Sequence, residues 1–312
     1  MSQPDIMNTK DRRSFIKDLS ILSAAAGLST LVPFDTLAFA KKEFFTISLA
    51  EWSFHKALFA GKMTNLEFPT RSKKEFGIDI VEYVSPFFNK NETDMAYLKE
   101  LKTLTLNEGI QNHLIMVDGE GQLGDTDEKA RLKAIENHYK WVDAAKFLGC
   151  KTIRVNAAGI GTAEEVKSAA IDGLGKLSAY GRERQINIIV ENHGGYSSDG
   201  KWLADIMEQV NSPFCGTLPD FGNFKINADR EYDKYQGITD LVPFAKGISA
   251  KTFAFDEQGN ESTIDYDRMF KIIKDAKWSG IVGIEYEGST LSEEEGIRKT
   301  KILLGRILQK FR

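Results

Sequence analysis

Short apolar runs alternate with longer amphipathic stretches along the chain from Phe44 onward. The runs are rich in β-branched residues, most clearly in residues 186–190, and this composition suits strands that are buried on both faces. The stretches between the runs carry helix signals. Thr162 is followed three residues later by Glu165, which fits a capping box, and Gly149 stops a long helical pattern. The pattern therefore predicts parallel strands that alternate with helices.

The pattern repeats as eight strand–helix pairs. The predicted strands are residues 44–50, 78–84, 110–117, 151–156, 186–191, 214–218, 246–251 and 281–285. The predicted helices are residues 64–76, 94–107, 127–148, a helix headed by Thr162, 201–210, 231–244, 266–276 and 292–311. Eight pairs in about 270 residues match an α/β fold of the (β/α)8 TIM barrel type. A doubly wound open sheet is the alternative, but residues 50–55 lack its glycine-rich phosphate-binding motif.

Residues 1–40 have the order of parts found in a targeting segment. Arg12 and Arg13 stand in a stretch that resembles the twin-arginine export motif, an apolar run follows at 19–32, and residues 38–40 match a small-x-small cleavage site. The run is too short and too rich in Ser and Ala to span a membrane. We therefore predict a twin-arginine signal peptide at 1–40, a single barrel domain at 41–312, and a periplasmic mature protein.

The composition is that of an ordinary soluble protein, with 42% hydrophobic and 28% charged residues. The net charge is -4 and there is no long basic run, so nothing in the sequence attracts nucleic acid or an acidic membrane surface. We expect neither partner once the signal peptide is removed. Cys150 and Cys215 each begin an apolar run and are predicted to be buried thiols. Two cysteines exclude a four-cysteine zinc site.

Three carboxylates end apolar runs without a cationic neighbour in sequence: Glu191, Asp220 and Glu285. In a parallel barrel the carboxyl ends of the strands meet at one mouth, where active sites form. Three carboxylates at one mouth would repel each other strongly unless a cation lay between them. Oxygen ligands suit a hard divalent ion. The sequence therefore predicts a metal site built from these three residues.

Other strand-end groups are candidates for proton transfer or substrate binding. His193 has a near-neutral ordinary pKa, and a buried Lys251 with a lowered pKa could act as a base, although a packed histidine and a salt-bridged lysine are the alternatives. Arg154 could contact a substrate oxyanion or form an ion pair with Glu191 or Glu82. The other candidate substrate-binding residues are Trp52, His55, Glu82, Asn156 and Asn223.

The chain resembles the sugar phosphate isomerase/epimerase superfamily, whose members are xylose-isomerase-like TIM barrels. The resemblance rests on residues 190–194 (Val-Glu-Asn-His-Gly), 218–223 (Leu-Pro-Asp-Phe-Gly-Asn) and 280–285 (Gly-Ile-Val-Gly-Ile-Glu). In that family a Glu, an Asp, a His and a second Glu bind one divalent metal. The resemblance implies that Glu191, Asp220 and Glu285 are three of these ligands, with Mn²⁺, Mg²⁺, Co²⁺ or Zn²⁺ as the ion. The chain departs from the family by Ser249 in place of the histidine and by Asn223 where a further histidine often stands.

The implied function is an exported, metal-dependent sugar isomerase or epimerase that abstracts a proton next to a sugar carbonyl, with Glu191 and Glu285 as acid–base groups. Two alternatives stay open. One is β-elimination from a keto-sugar or glycoside on the same barrel, and the other is a non-catalytic sugar-binding barrel. A phosphodiesterase is disfavoured because it needs a histidine-rich metal site and the chain has four histidines. The expected partner is a small carbohydrate substrate. The alternatives for the oligomeric state include a homodimer.

Overall fold

The structure, a computed structural model, describes residues 43–312, and these form one compact unit. The predicted signal peptide at residues 1–40 lies outside the described residues. None of the helices between residues 43 and 312 is long and apolar enough to cross a membrane.

Eight parallel strands stand at the centre of the fold. They are β1 (Phe45–Ala50), β2 (Ile80–Val84), β3 (Gln111–Met116), β4 (Thr152–Val155), β5 (Asn187–Glu191), β6 (Cys215–Leu218), β7 (Ile248–Thr252) and β8 (Gly280–Tyr286). The strands are hydrogen-bonded in the order β6-β5-β4-β3-β2-β1-β8-β7. Single parallel bridges, Thr217 to Ala245 and Asp220 to Ser249, connect β6 to the β7 side. The sheet is thus a nearly closed barrel. The predicted TIM barrel is confirmed, and the doubly wound open sheet is wrong.

Helices follow the strands around the outside of the barrel. They are α1 (His55–Phe59), α2 (Phe68–Phe76), α3 (Met95–Asn107), α4 (Glu128–Leu148), α5 (Ala163–Arg184), α6 (Gly200–Val210), α7 (Lys234–Leu241), α8 (Tyr266–Asp275) and α9 (Glu293–Lys310). The short α1 and the 3-10 turn before it, Glu51–Phe54, were missed by the sequence pattern. Elements of four or five residues are too short to show a helical period.

The helix starts follow from side chains that accept backbone N–H bonds. The capping box of Thr162 and Glu165 is confirmed at α5, and Ser292 with Glu295 makes a second one at α9. The predicted start of the first long helix at residue 64 is wrong, because α2 begins at Phe68. Pro69 lies in the first turn of α2, where its missing N–H costs no intrahelical bond.

Apolar side chains form a large core between strands and helices and a smaller cluster inside the barrel. The inner cluster contains Ala50, Val84, Phe87, Leu114, Met116, Ile189 and Leu218. All of these come from the β1–β6 part of the barrel. Cys150 and Cys215 are buried free thiols, as predicted.

The contact between Gly237 and Phe224 gives a test of this packing, since Phe224 lies in the segment that follows Asp220. A Cβ at Gly237 of α7 would lie 2.0 Å from the Phe224 ring. We expect Gly237→Ala to lower the free energy of unfolding by about 1–3 kcal/mol through overpacking. The matched control is Gly175→Ala in α5, where no atom lies within 4 Å of the added Cβ. The control should be neutral or stabilising by up to about 1 kcal/mol. Urea denaturation of both variants measures the difference, and equal stabilities would contradict the packing.

Candidate active site

The three predicted carboxylates converge at the mouth of the barrel. Glu191 ends β5, Asp220 lies two residues beyond β6, and Glu285 lies near the end of β8. All three are buried, and one oxygen of each lies within 4.8 Å of the other two. We call these residues the carboxylate trio. Among residues 43–312, it is the one group of three or more His, Cys, Asp or Glu side chains placed to hold a metal ion.

Asp220 is held in place by the backbone and by Asn192. The Asn192 side-chain amide donates to the carbonyl of Asp220 at 2.9 Å and accepts from its N–H at 2.8 Å. The N–H groups of Gly222 and Asn223 donate to Asp220 Oδ1 at 2.8 and 2.9 Å. Asn223 also donates to Glu191 Oε1 at 2.9 Å. The predicted binding residue Asn223 therefore links two members of the trio.

Ser249 points into the mouth and lies between two members of the trio, Asp220 and Glu285. Its Oγ lies 2.7 Å from Asp220 Oδ2 and 2.8 Å from Glu285 Oε2. A hydroxyl has one proton to donate, so both hydrogen bonds form together only when one of the two carboxyls is protonated. Desolvation raises the pKa of Asp220 to about 7, although the charge of Lys251 works in the opposite direction. Asp220 is therefore a carboxyl that can hold this proton near neutral pH.

Lys251 is the cation of the mouth. Its buried Nζ lies 3.1 Å from Glu285 Oε1, 3.5 Å from Asp220 Oδ2 and 3.2 Å from Glu287 Oε2. Burial alone would lower the pKa of Lys251, but the surrounding carboxylates outweigh it and hold the pKa well above its usual value. Of the two alternatives that the sequence left open, these contacts favour the salt-bridged lysine over a lysine with a lowered pKa. Lys251 is a fixed positive charge.

Arg154 is the second buried cation, and it forms one of the two ion pairs that the sequence allowed. Its Nε lies 2.9 Å from Glu191 Oε2, and its Nη1 donates to Asp118 Oδ1 at 2.7 Å. Asn156 donates to the same Asp118 oxygen at 2.8 Å. The Arg154 Nε–H is not aligned with Glu191 Oε2, so within residues 43–312 this oxygen lacks a hydrogen-bond donor. Arg154 and Asn156 are therefore both held by Asp118.

Glu82 lies inside the barrel, close to the trio. A bulge between β2 and β3 pairs Glu82 with Leu114 and leaves His113 out of the register. Ser48 donates to Glu82 Oε1 at 2.6 Å, and a Cβ at Gly283 would lie 2.8 Å from Oε2, so any larger residue there would displace the Glu82 carboxyl. Desolvation raises the pKa of Glu82 to about 7. Glu82 is buried, and the charges of Glu285 and Glu191 lie close enough to raise its pKa further. Its position therefore suits an electrostatic effect on these two carboxylates more than contact with a substrate.

The rim of the mouth carries His193, His55 and Trp52. His193 is exposed at the end of β5, and its pKa is lowered by desolvation and by the charges of Arg154 and Lys251. The Nδ1 of His55 lies 2.8 Å from the Trp52 carbonyl oxygen, and its ring stacks on the indole at 5.1 Å. The Trp52 indole N–H donates to Glu287. Trp52 is therefore joined to Lys251 through Glu287.

Three further strand-end residues belong to the site, although the sequence pattern assigned them no role: Asn192, Asp118 and Glu287. Asp118 and Glu287 stand just beyond β3 and β8, so their positions at strand ends carried the same signal as the trio. Asn192 lies between Glu191 and His193 in the motif, but sequence alone does not show that its amide reaches across to the Asp220 backbone.

The residues present fit a hard divalent ion. Oxygens around one such ion lie on the order of 3–4 Å apart, close to the spacing of the trio. Glu191 Oε2 accepts no hydrogen bond from residues 43–312, although the Arg154 guanidinium lies 2.9 Å away. Lys251 and Arg154 also face more carboxyl groups than two positive charges can neutralise. The charge of Lys251 beside two of the three ligands nevertheless opposes a second cation.

Lys251 and a divalent ion should therefore compete for the trio. We expect Lys251→Met to raise the affinity for Mn²⁺ by about tenfold or more, because a positive charge is removed from beside Asp220 and Glu285. The matched control is Lys246→Met, since Lys246 precedes β7 and bonds the Pro213 carbonyl at 2.7 Å, away from the trio. Calorimetric titration with Mn²⁺ measures both variants. An unchanged or weaker affinity in Lys251→Met would show that the two cations do not compete.

Comparison with known proteins identifies the family to which the barrel belongs. A family model described as a xylose isomerase-like TIM barrel matches residues 72–304. No curated protein sequence matches the chain. The solved structure of the IolI protein with a zinc atom is similar at 17% identity, covering 86% of this chain and 99% of that chain with a TM-score of 0.68.

Two sugar epimerases are also structural neighbours. The 3-keto-D-glucoside 4-epimerase YcjR from E. coli is 14% identical, covers 85% of this chain and 100% of its own, and has a TM-score of 0.59. An L-ribulose 3-epimerase is 12% identical, with coverage of 85% and 95% and a TM-score of 0.65. At these identities the likeness shows the fold. Since the family model matches most of the barrel, the chain belongs to the xylose isomerase-like TIM barrel family.

Proposed function

We propose that this protein is a metal-dependent sugar isomerase or epimerase that abstracts a proton next to a sugar carbonyl. The observation that carries the proposal is the buried carboxylate trio at the mouth of the barrel, with Lys251 beside it. A carbohydrate substrate is supported by the sugar epimerases among the structural neighbours, and a metal is supported by the zinc of IolI. We further propose export to the periplasm, supported by the twin-arginine pattern at Arg12 and Arg13. The homodimer stays a prediction.

Glu191, Asp220 and Glu285 would hold the divalent ion. When bound, such an ion polarises a carbonyl or hydroxyl oxygen and so eases proton loss from the adjacent carbon. The protein's own groups do the rest. Asn192 and Asn223 fix the positions of Asp220 and Glu191, and the polar mouth replaces the water that hydrates a sugar.

Glu191 is suited to take and return the proton. Desolvation raises the pKa of Glu191 to about 7, against the opposing charge of Arg154. A bound divalent ion would lower this pKa again and favour the carboxylate, which is the form that accepts a proton from the substrate. Glu285 enters the mouth from β8, three strands along the barrel from β5, so the two carboxyls can act on different sides of one carbon. This arrangement suits inversion at that carbon.

Lys251 would stabilise negative charge on the substrate. Proton loss next to a carbonyl places negative charge on the carbonyl oxygen, and a fixed ammonium in a buried site stabilises such charge without having to reorient. Nζ of Lys251 is held by Glu285, Glu287 and the Asn223 side-chain oxygen, 3.3 Å away. These contacts keep the ammonium at the mouth.

Removal of the acid–base carboxyls tests the reaction. We expect Glu191→Gln and Glu285→Gln each to lower turnover by about 10²–10⁴-fold, because each amide keeps the shape but cannot transfer the proton. Deuterium uptake from D₂O into ketoses and 3-keto-glucosides, followed by NMR, measures proton abstraction without knowledge of the product. The control is Asp143→Asn, a carboxyl on the outer helix α4 that pairs with Arg184. Near-normal uptake in both glutamine variants, with circular dichroism showing intact folds, would contradict the assignment.

The same spectra separate the alternatives. A new epimer or aldose–ketose pair identifies isomerase chemistry, whereas an unsaturated sugar identifies β-elimination. Sugar binding without deuterium uptake or product identifies the non-catalytic barrel and overturns the proposed enzyme.

Metal content tests the role of the trio. We expect protein purified without chelator to contain about one equivalent of divalent metal, and Asp220→Asn to lose it, because one of three charged oxygen ligands is removed. The control is Asp118→Asn, since Asp118 pairs with Arg154 but is not in the trio. Elemental analysis measures both. An absence of metal, with no rise in Tm on adding Mn²⁺, Mg²⁺, Co²⁺ or Zn²⁺, would contradict the metal site.

A further inference from the structure

A cleft of about 500 Å³ opens beside the carboxylate trio. It is lined by residues 157–159 after β4, residues 193–197 after β5, and Ile226 and Asn227 in the segment after β6. Its volume lies within the range of small-molecule sites in proteins. His193 belongs to its wall and stands two residues after Glu191 on the same strand end. The cleft therefore adjoins the strand end that carries Glu191.

The lining of the cleft differs in chemistry from the trio. Ala157, Ala158, Ile226 and the Tyr196 ring contribute apolar surface, and no Asp, Glu, Lys or Arg among residues 43–312 lines it. Two backbone donors in its wall are already in use, because the N–H groups of His193 and Gly194 donate to Ser197 and Ser198 at 3.1 and 2.9 Å. A phosphate or carboxylate would find neither a countercharge nor these donors. The cleft suits a neutral, largely apolar group.

A free monosaccharide has no such group. It carries a hydroxyl or carbonyl oxygen on almost every carbon, so its polar atoms match the carboxyls, amides and ammonium of the mouth and leave the cleft unused. A sugar with an apolar substituent would occupy the polar mouth with its ring and the cleft with its substituent. From this juxtaposition we infer that the cleft is a subsite for the aglycone of a neutral glycoside, and that glycosides with a keto group on the sugar ring, rather than free or phosphorylated sugars, are the substrate class.

The inference rests on the proposed sugar site, and it gives a direct binding test. The probes are phenyl β-D-glucopyranoside and methyl β-D-glucopyranoside, which differ in the apolar group alone. We expect the phenyl glucoside to bind at least tenfold tighter in calorimetric titrations of the full-length protein, because its ring is removed from water in the cleft.

Variants that fill the cleft connect this preference to the structure. Ala158→Phe should reduce the ratio of the two affinities to near one, and Asn227→Trp, at an exposed position on the other wall, should do the same if the first variant folds poorly. The control is Ile160→Phe, because Ile160 is 74% exposed and does not line the cleft. The control should keep the wild-type ratio.

The outcomes separate this inference from the proposed function. If both glucosides bind with equal affinity to the wild-type protein, or if the filled variants keep the phenyl preference, the subsite is wrong and the sugar site stands. If neither glucoside binds and no sugar exchanges deuterium, both proposals are overturned. A phenyl preference that is lost in the filled variants and kept in Ile160→Phe supports the subsite.

Discussion

Negative charge buried at the mouth of the barrel is the constraint on which the rest of the site depends. Glu191, Asp220 and Glu285 lose most of their hydration there, and each is brought close to the others by the closure of the sheet. Charges so placed require cations, protons or hydrogen bonds. Lys251 and Arg154 supply charge, and Ser249 and the asparagines supply hydrogen bonds. The remaining excess of carboxyls is what suits the mouth to a divalent ion.

The hydrogen bonding of the barrel is least continuous between β6 and β7, and the candidate site is assembled at this gap. β6 and β7 share no continuous ladder, but the bridge between Asp220 and Ser249 joins the two segments at the mouth. The same two residues are joined by their side chains. Asn192 adds hydrogen bonds to the Asp220 backbone from the β5 side. The contacts that position the ligands thus also close the sheet, so changes to these residues act on fold and site together.

The sequence predicted the barrel and the trio because both depend on periodicity. An apolar run that ends in a carboxylate shows that the group lies at a strand end, and the parallel barrel brings all strand ends to one mouth. Periodicity does not give distances between strands. The four carboxylates around Lys251 come from β5, β6 and β8, so its raised pKa could not be read from its neighbours in sequence. The bulge that leaves His113 out of register with β2 and the hydrogen bond from Trp52 to Glu287 are likewise properties of the folded chain.

Ser249 and Lys251 together show how this chain departs from the family pattern. They are two residues apart on β7 and so face the same side of the strand. Where the family's neutral histidine is expected, the chain has a hydroxyl that bonds two carboxyls, and one step further along the strand it has a fixed positive charge. This change replaces one potential metal ligand by a cation that would compete with a metal. In the proposed enzyme, an ion would be held by carboxylates against the repulsion of Lys251, and Lys251 would take over part of the stabilisation of substrate charge.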